Sequence, residues 1–198
     1  MRELIVSEFI TIDGVVEAPG GEPGHRHSGW VFDYAAPPIE NYKLDELNGV
    51  EAMLFGRSNY EQFAQAWTPR TGTIADRLNT MPKYVVGTKV EQPPAWSNTT
   101  ALGGELVSAV TTLKAGDGGP ILVHGSATLV QGLLTADLVD ELRLQLFPVV
   151  VGGGRSIFPT GFQKTTFALT SVVRILPEVI ALHYRRQAIA AAGPPQGH

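Results

Sequence analysis

Three patterns in the 198-residue sequence predict an α/β fold built on a mostly parallel sheet. Short apolar strands alternate with segments of helical period, as in a sheet covered by helices on both faces. The last third changes to period-two alternation around one tight turn, so antiparallel strands are expected at the C-terminal end of the sheet. Hydrophobic residues make up 43% of the chain and charged residues 17%, a composition that supports a buried core. One domain is expected over residues 1–187, with a frayed tail over 188–198.

Glu3–Ile12 alternates and is rich in β-branched residues, which predicts the first strand. Asp13-Gly14 is a turn signal. Ala18–Gly29 is a Gly/Pro/His loop longer than compact connections usually are, and loops of that kind tend to be functional. Pro37–Leu47 is expected to be helical. Ala52–Phe55 is an apolar strand that stops at Gly56. Tyr60, Phe63, Ala64 and Trp67 then follow at i, i+3, i+4 and i+7, an amphipathic helix. Tyr84–Gly87 is the next strand. Leu106, Val107, Val110 and Leu113 repeat the helical period, and Ile121–Val123 is again an apolar strand. Leu129, Val130, Leu133 and Leu134 mark another helix. Leu142, Leu144 and Leu146 alternate with Arg143, Gln145 and Phe147. Phe167–Ile175 and Glu178–Arg186 predict a hairpin around Leu176-Pro177.

Composition excludes several kinds of chemistry. Fifteen Lys and Arg against nineteen Asp and Glu give a net charge of −4, which provides no electrostatic footprint for nucleic acid or an anionic membrane. Cysteine is absent, so disulfides, thiolate metal sites and a cysteine nucleophile are ruled out. Met1–Thr11 reads as neither a signal peptide nor a membrane span, and a cytoplasmic protein is expected.

Glycine is abundant, at 22 residues, and three of these end strands in the same chemical way. Gly56-Arg57-Ser58 and Gly125-Ser126-Ala127-Thr128 each join a strand to a helix, and Gly87-Thr88-Lys89 ends a third strand in a hydroxyl and a cation. A helix N-terminus offers free amides and the positive end of the dipole. Glycine lets an anion approach the backbone, and in open α/β sheets ligands collect beyond the carboxyl ends of the strands. A bound polyphosphate is therefore expected. The competing reading is local punctuation, with Ser58 and Ser126 as helix caps and Arg57 paired to Glu61 at i+4. Neither GxGxxG nor GxxxxGK occurs.

Thr11-Ile12-Asp13-Gly14, Leu54–Glu61, Tyr84–Lys89, Val123–Leu129, Leu138–Leu144 and Pro148–Gly154 occur in this order. Together they resemble the dihydrofolate-reductase-like family, in the branch similar to the reductase domain of the riboflavin-pathway bifunctional deaminase-reductase, over about residues 2–186. The resemblance implies a three-layer α/β/α fold and NADPH as cofactor. It implies that Gly56, Arg57, Ser58, Thr88 and Lys89 hold the 2′-phosphate and its neighbour, and that Gly125, Ser126, Ala127 and Thr128 approach the diphosphate. Ser126 stands where the family usually has a second glycine, and Lys89 where arginine is more usual. A homodimer is also implied, with the late strand and the Val149–Gly154 loop contributing.

Two carboxylates are candidates for acid–base chemistry: Asp13 at the Asp-Gly turn, and Glu40 on the helix that carries the substrate-binding acid in folate reductases. Asp33 and Asp45 rival Glu40, and Asp13 equally suits a plain turn. Trp30, Phe32 and Tyr34 are candidates for stacking on a flat heterocycle, with core packing expected for at least two of them. His25 and His27 near Glu22 are weak as a metal site, and none is assigned. His124 at a strand end reads as a core histidine. Arg26, Lys43 and Arg155 are candidates for a substrate phosphate.

The expected activity is reduction of a C=N bond in a pterin-like or ribosylaminopyrimidine compound. Dihydrofolate reduction, and a non-catalytic NADP-binding regulatory dimer, are the alternatives.

Overall fold

The computed structural model describes residues 1–87 and 95–187. Thr88 and Lys89, expected at the cofactor, and the expected tail at 188–198 lie outside the described residues.

Eight strands form one sheet: β1 (Leu4–Thr11), β2 (Ala52–Gly56), β3 (Lys83–Val86), β4 (Thr99–Leu102), β5 (Ile121–Val123), β6 (Glu141–Phe147), β7 (Phe167–Arg174) and β8 (Ile180–Arg186). The helices are α1 (Pro37–Asn48), α2 (Arg57–Trp67), α3 (Thr73–Thr80), α4 (Leu106–Ala115) and α5 (Ala127–Thr135). The strand order is β4-β3-β2-β5-β1-β6-β8-β7. The first six strands in that order run parallel, and β8 pairs antiparallel with both β6 and β7. The mostly parallel sheet with a C-terminal antiparallel addition is thus as expected.

The apolar runs account for the layers. Leu4, Val6 and Ile10 of β1 join Leu129, Val130 and Leu133 of α5 and Val110 of α4 in one cluster. Ile5 points the other way, into a second cluster with Leu47 of α1, Phe55 of β2, Tyr60 of α2 and Leu78 of α3. Successive residues of one strand therefore serve opposite layers, which is why these strands are apolar on both faces. Each such buried side chain contributes about 1.5–3 kcal/mol.

Two short elements were not expected. Strand β4, Thr99-Thr100-Ala101-Leu102, is a short edge strand of mixed polarity, held by its parallel register with β3 from Lys83↔Thr99 to Val86↔Leu102. Helix α3 buries only Ala75 and Leu78 along its length. Its C-terminal carbonyls are gathered by the buried Lys83 ammonium, which donates to Leu78 O at 2.8 Å and Met81 O at 2.7 Å.

Of the three aromatic residues after the Gly/His loop, Trp30 and Tyr34 pack edge-on against Phe147. Phe32 remains 60% exposed.

The chain order places the site. After β1 the chain lays down β2, β3 and β4 to one side, then returns to insert β5 between β2 and β1. The connections at β1, β2 and β5 therefore diverge at their carboxyl ends, and a crevice opens there.

Candidate functional site

A cleft of about 1260 Å³ occupies that crevice. Its lining includes Glu8 and Phe9 of β1, the Gly56–Asn59 turn, the His124–Leu129 turn, and Glu40 and Lys43 of α1. The two glycine turns abut: a Cβ placed on Gly56 would lie 3.9 Å from Ser126 Oγ. Gly56 is the N-cap of α2 and Ser126 the N-cap of α5, and neither helix has a side-chain cap. The first residues of both helices thus line the cleft, with their leading amides unclaimed by capping hydroxyls, an arrangement suited to an anion. Thr128 lines the cleft and accepts a hydrogen bond from Arg155 Nη1 at 2.7 Å. Arg155, considered for a substrate phosphate, is thereby brought to the α5 turn, with Glu17 Oε1 3.5 Å from its Nε.

Arg57 lines the cleft, but its guanidinium pairs with Glu61 at 3.1 Å, the i+4 partner that helical spacing supplies. Both side chains are about half exposed, so the pair is weak and readily exchanged.

The α5 turn is held from below. The Gly125–Ser126 peptide is cis. Asn59 donates its amide to the His124 carbonyl. His124 places Nδ1 3.0 Å from Ser7 O. Burial holds the His124 imidazole down to about 4, so it is neutral near pH 7 and Nδ1–H is the donor. The Gly125 amide donates to Glu8 Oε1 at 2.6 Å. Glu8 is 6% exposed, and burial pushes its carboxyl up to about 8 against the pull of that amide and of Lys43.

Behind β1 lies a polar cluster. Ser7 Oγ donates to Glu46 Oε1 at 2.8 Å, and Lys43 Nζ lies 2.7 Å from Glu46 Oε2. Burial alone would raise the Glu46 carboxyl, but Lys43 and the hydrogen bonds outweigh it and hold the group below the usual carboxylate range. Lys43, considered for a substrate phosphate, is committed here. Arg26 reaches Val151 O at 3.4 Å.

The two carboxylates proposed for acid–base chemistry part company. Glu40 lines the cleft. Asp13 does not line the cleft. Its carboxylate accepts the Thr11 hydroxyl at 2.6 Å and the Gly152 amide at 2.8 Å, so it organises the turn and the loop after β6. Of the rivals of Glu40, Asp33 lies in the short 3-10 turn Phe32–Tyr34 and Asp45 on α1 with Glu40 itself. His25 places Nε2 2.8 Å from Gly153 O, and among the described residues no three His, Asp or Glu gather as a metal site.

Glu8 and Asn59 escaped the sequence reading. The signal for Glu8 was a charged residue inside the apolar run Leu4–Ile10; for Asn59 there was none, since it is an ordinary helix position.

The sheet order, the paired turns and the crevice define a dihydrofolate-reductase-like α/β protein. The chain belongs to the RibD C-terminal domain family, which it matches over residues 2–181. It is 23% identical over 188 residues to the uncharacterized protein YyaP of Bacillus subtilis (strain 168), covering 92% of this chain and 94% of YyaP. Among solved structures it is similar to a Shewanella sp. PV-4 protein described as belonging to riboflavin biosynthesis, with a TM-score of 0.73 and 20% identity over 94% of this chain and 100% of that one. It is also similar to dihydrofolate reductase from Enterococcus faecalis complexed with NADP(H), with a TM-score of 0.60 and 12% identity, covering 94% and 97% of the two chains. The family supports an oxidoreductase. No described helix is long and apolar enough to cross a membrane.

Proposed function

We propose that the protein is an NADPH-dependent reductase of a C=N bond in a flat nitrogen heterocycle, pterin-like or ribosylaminopyrimidine. The observation that carries this reading is the abutment of Gly56 and Ser126, which joins two uncapped helix N-termini in one cleft. A dinucleotide presents two anionic groups that suit such a double cradle.

Gly125, Ser126, Ala127 and Thr128 hold the diphosphate, with Arg155 beside Thr128. Gly56, Arg57 and Ser58 hold the 2′-phosphate, with Thr88 and Lys89 assigned there by resemblance. Arg57 exchanges Glu61 for the phosphate, a stronger charge-assisted partner. The nicotinamide supplies a hydride when bound. The chain's own work is to orient the heterocycle and exclude water. Phe9, Ile39, Phe63 and Leu78 line the cleft as an apolar wall, with Phe32 at its lip, and Glu40 is the acid–base carboxylate on the α1 side. A homodimer is part of this proposal; the edge strand β7 exposes Leu169 and Val172 by about half.

Titration with NADPH, followed by nicotinamide fluorescence, tests the cradle. Saturable binding is expected, with Arg57→Ala weakening NADPH more than NADH. Absence of binding at near-millimolar NADPH overturns the reading. Loss of absorbance at 340 nm with a pterin or aminopyrimidine tests the reaction, whereas binding without turnover of any flat heterocycle favours the regulatory alternative.

A further inference from the structure

Glu8 stands where β1 otherwise carries core residues, since Val6 before it and Ile10 after it both lie in the hydrophobic cluster under α5. Its side chain lines the cleft and reaches the α5 turn, where Oε1 takes the Gly125 amide at 2.6 Å. Among the described residues, Oε2 takes no hydrogen bond and no cation lies within ion-pair distance of either oxygen. A buried carboxylate normally needs two or three donors or a close cation.

The groups that face it offer little relief. Lys43 of α1 attracts it from a distance, but its ammonium is committed to Glu46 and Ser7. Glu22, in the loop that lines the cleft, repels it. His124 at the end of β5 is neutral, and Asn59 of α2 spends its amide on the His124 carbonyl. Glu17 and Arg155 pair with each other at the rim.

The amide that Glu8 takes belongs to the turn assigned above to the diphosphate. An ionised Glu8 is therefore both a rival for the turn and a like charge beside the ligand. We infer that Glu8 is a cofactor-site residue that acts as the neutral acid, so that NADPH binding draws a proton onto it and its ionised form holds the cofactor off. This rests on the reading of the cleft as a dinucleotide cradle. The direction follows from the burial of Glu8: the carboxyl is largely protonated near neutrality, and affinity falls as pH rises past about 8.

The test uses NADPH alone with the full chain, wild type and Glu8→Gln, from about pH 6.5 to about pH 9.5. Glutamine keeps the shape and stays neutral. For wild type the dissociation constant is expected to rise about tenfold between pH 8 and 9.5, as one linked proton requires. For Glu8→Gln it should stay within about twofold and lie below the wild-type value at the alkaline end. Buried Lys83, pushed down to about 8, also titrates in this range, but it is common to both proteins and does not line the cleft.

Calorimetry of wild type at about pH 8.5, in buffers of different ionisation enthalpy, should count a net proton taken up on binding, and it decides the matter even if the variant does not fold. The same pH profile in Glu8→Gln, or no proton uptake by wild type, overturns the inference while leaving the cradle intact. No NADPH binding to either protein at any pH overturns the cradle itself and the inference with it.

Discussion

Asp13 and Gly152, 139 residues apart, meet through a 2.8 Å hydrogen bond from the Gly152 amide to the Asp13 carboxylate. The same carboxylate takes the Thr11 hydroxyl, so one side chain closes the turn after β1 and anchors the loop after β6. Asp13→Ala is expected to raise hydrogen exchange across residues 149–154 while leaving NADPH affinity in place. The Thr11 hydroxyl first, and then the Gly152 amide, hold the Asp13 carboxyl below its ordinary value. Its tie to the loop is therefore present above that value and lost in acid. A large loss of affinity with unchanged exchange would return Asp13 to the site.

Glu46 joins β1, α1 and β6 through Ser7, Lys43 and Arg143. Removing one partner of a buried charge cluster strands the others. Glu46→Ala is therefore expected to cost about 3–5 kcal/mol in urea unfolding at neutral pH. Because its folded pKa is depressed, the stabilisation is complete above the ordinary value of 4.5 and fades as pH falls through the lower folded one. Glu46→Gln should flatten that acid limb; an unchanged limb would show that other carboxylates carry it.

Tyr60 accepts the Trp96 backbone amide at 2.8 Å, with both residues buried. Tyr60→Phe removes only the oxygen and leaves a buried amide unsatisfied. A loss of about 1–3 kcal/mol is expected in chemical denaturation. A near-zero loss would mean that the amide finds another acceptor.

Arg155 bridges Glu17 and Thr128 at an exposed position, so its contribution to folding is small. In the proposed diphosphate cradle its part is a charge-assisted one. Arg155→Ala should weaken NADPH about three- to tenfold with little change in Tm. Equal affinity in the variant would remove Arg155 from the diphosphate cradle.

The elements that were legible in the sequence are those with strong periods. Ile121–Val123 and Ala52–Phe55 are uninterrupted apolar runs, and Tyr60, Phe63 and Trp67 repeat at helical spacing. Strand β4 was illegible because Thr99-Thr100-Ala101-Leu102 draws its order from the ladder with β3 and not from a buried face of its own. Helix α3 was faint because it is only eight residues long, so its apolar positions Ile74, Ala75 and Leu78 span little more than one turn, and it depends on Lys83, beyond its C-terminus, to gather its last carbonyls. In the site, Gly56 and Gly125 were legible as glycines at strand ends. The difference between Asp13 and Glu40 was not, since one is a carboxylate at a predicted turn and the other on a predicted helix, and only packing decides which one meets the cleft.

The sequence by itself determined the strands and helices with marked periods, their order, and the glycine turns at the strand ends, because each of these follows from local spacing and local backbone freedom. Only the tertiary structure decided that β5 enters between β2 and β1, that Gly56 therefore lies against Ser126, and that Glu8 comes to rest on the Gly125 amide. Those relationships join residues about seventy or more positions apart. A strand's period records which of its faces is buried, but not which strand will lie beside it.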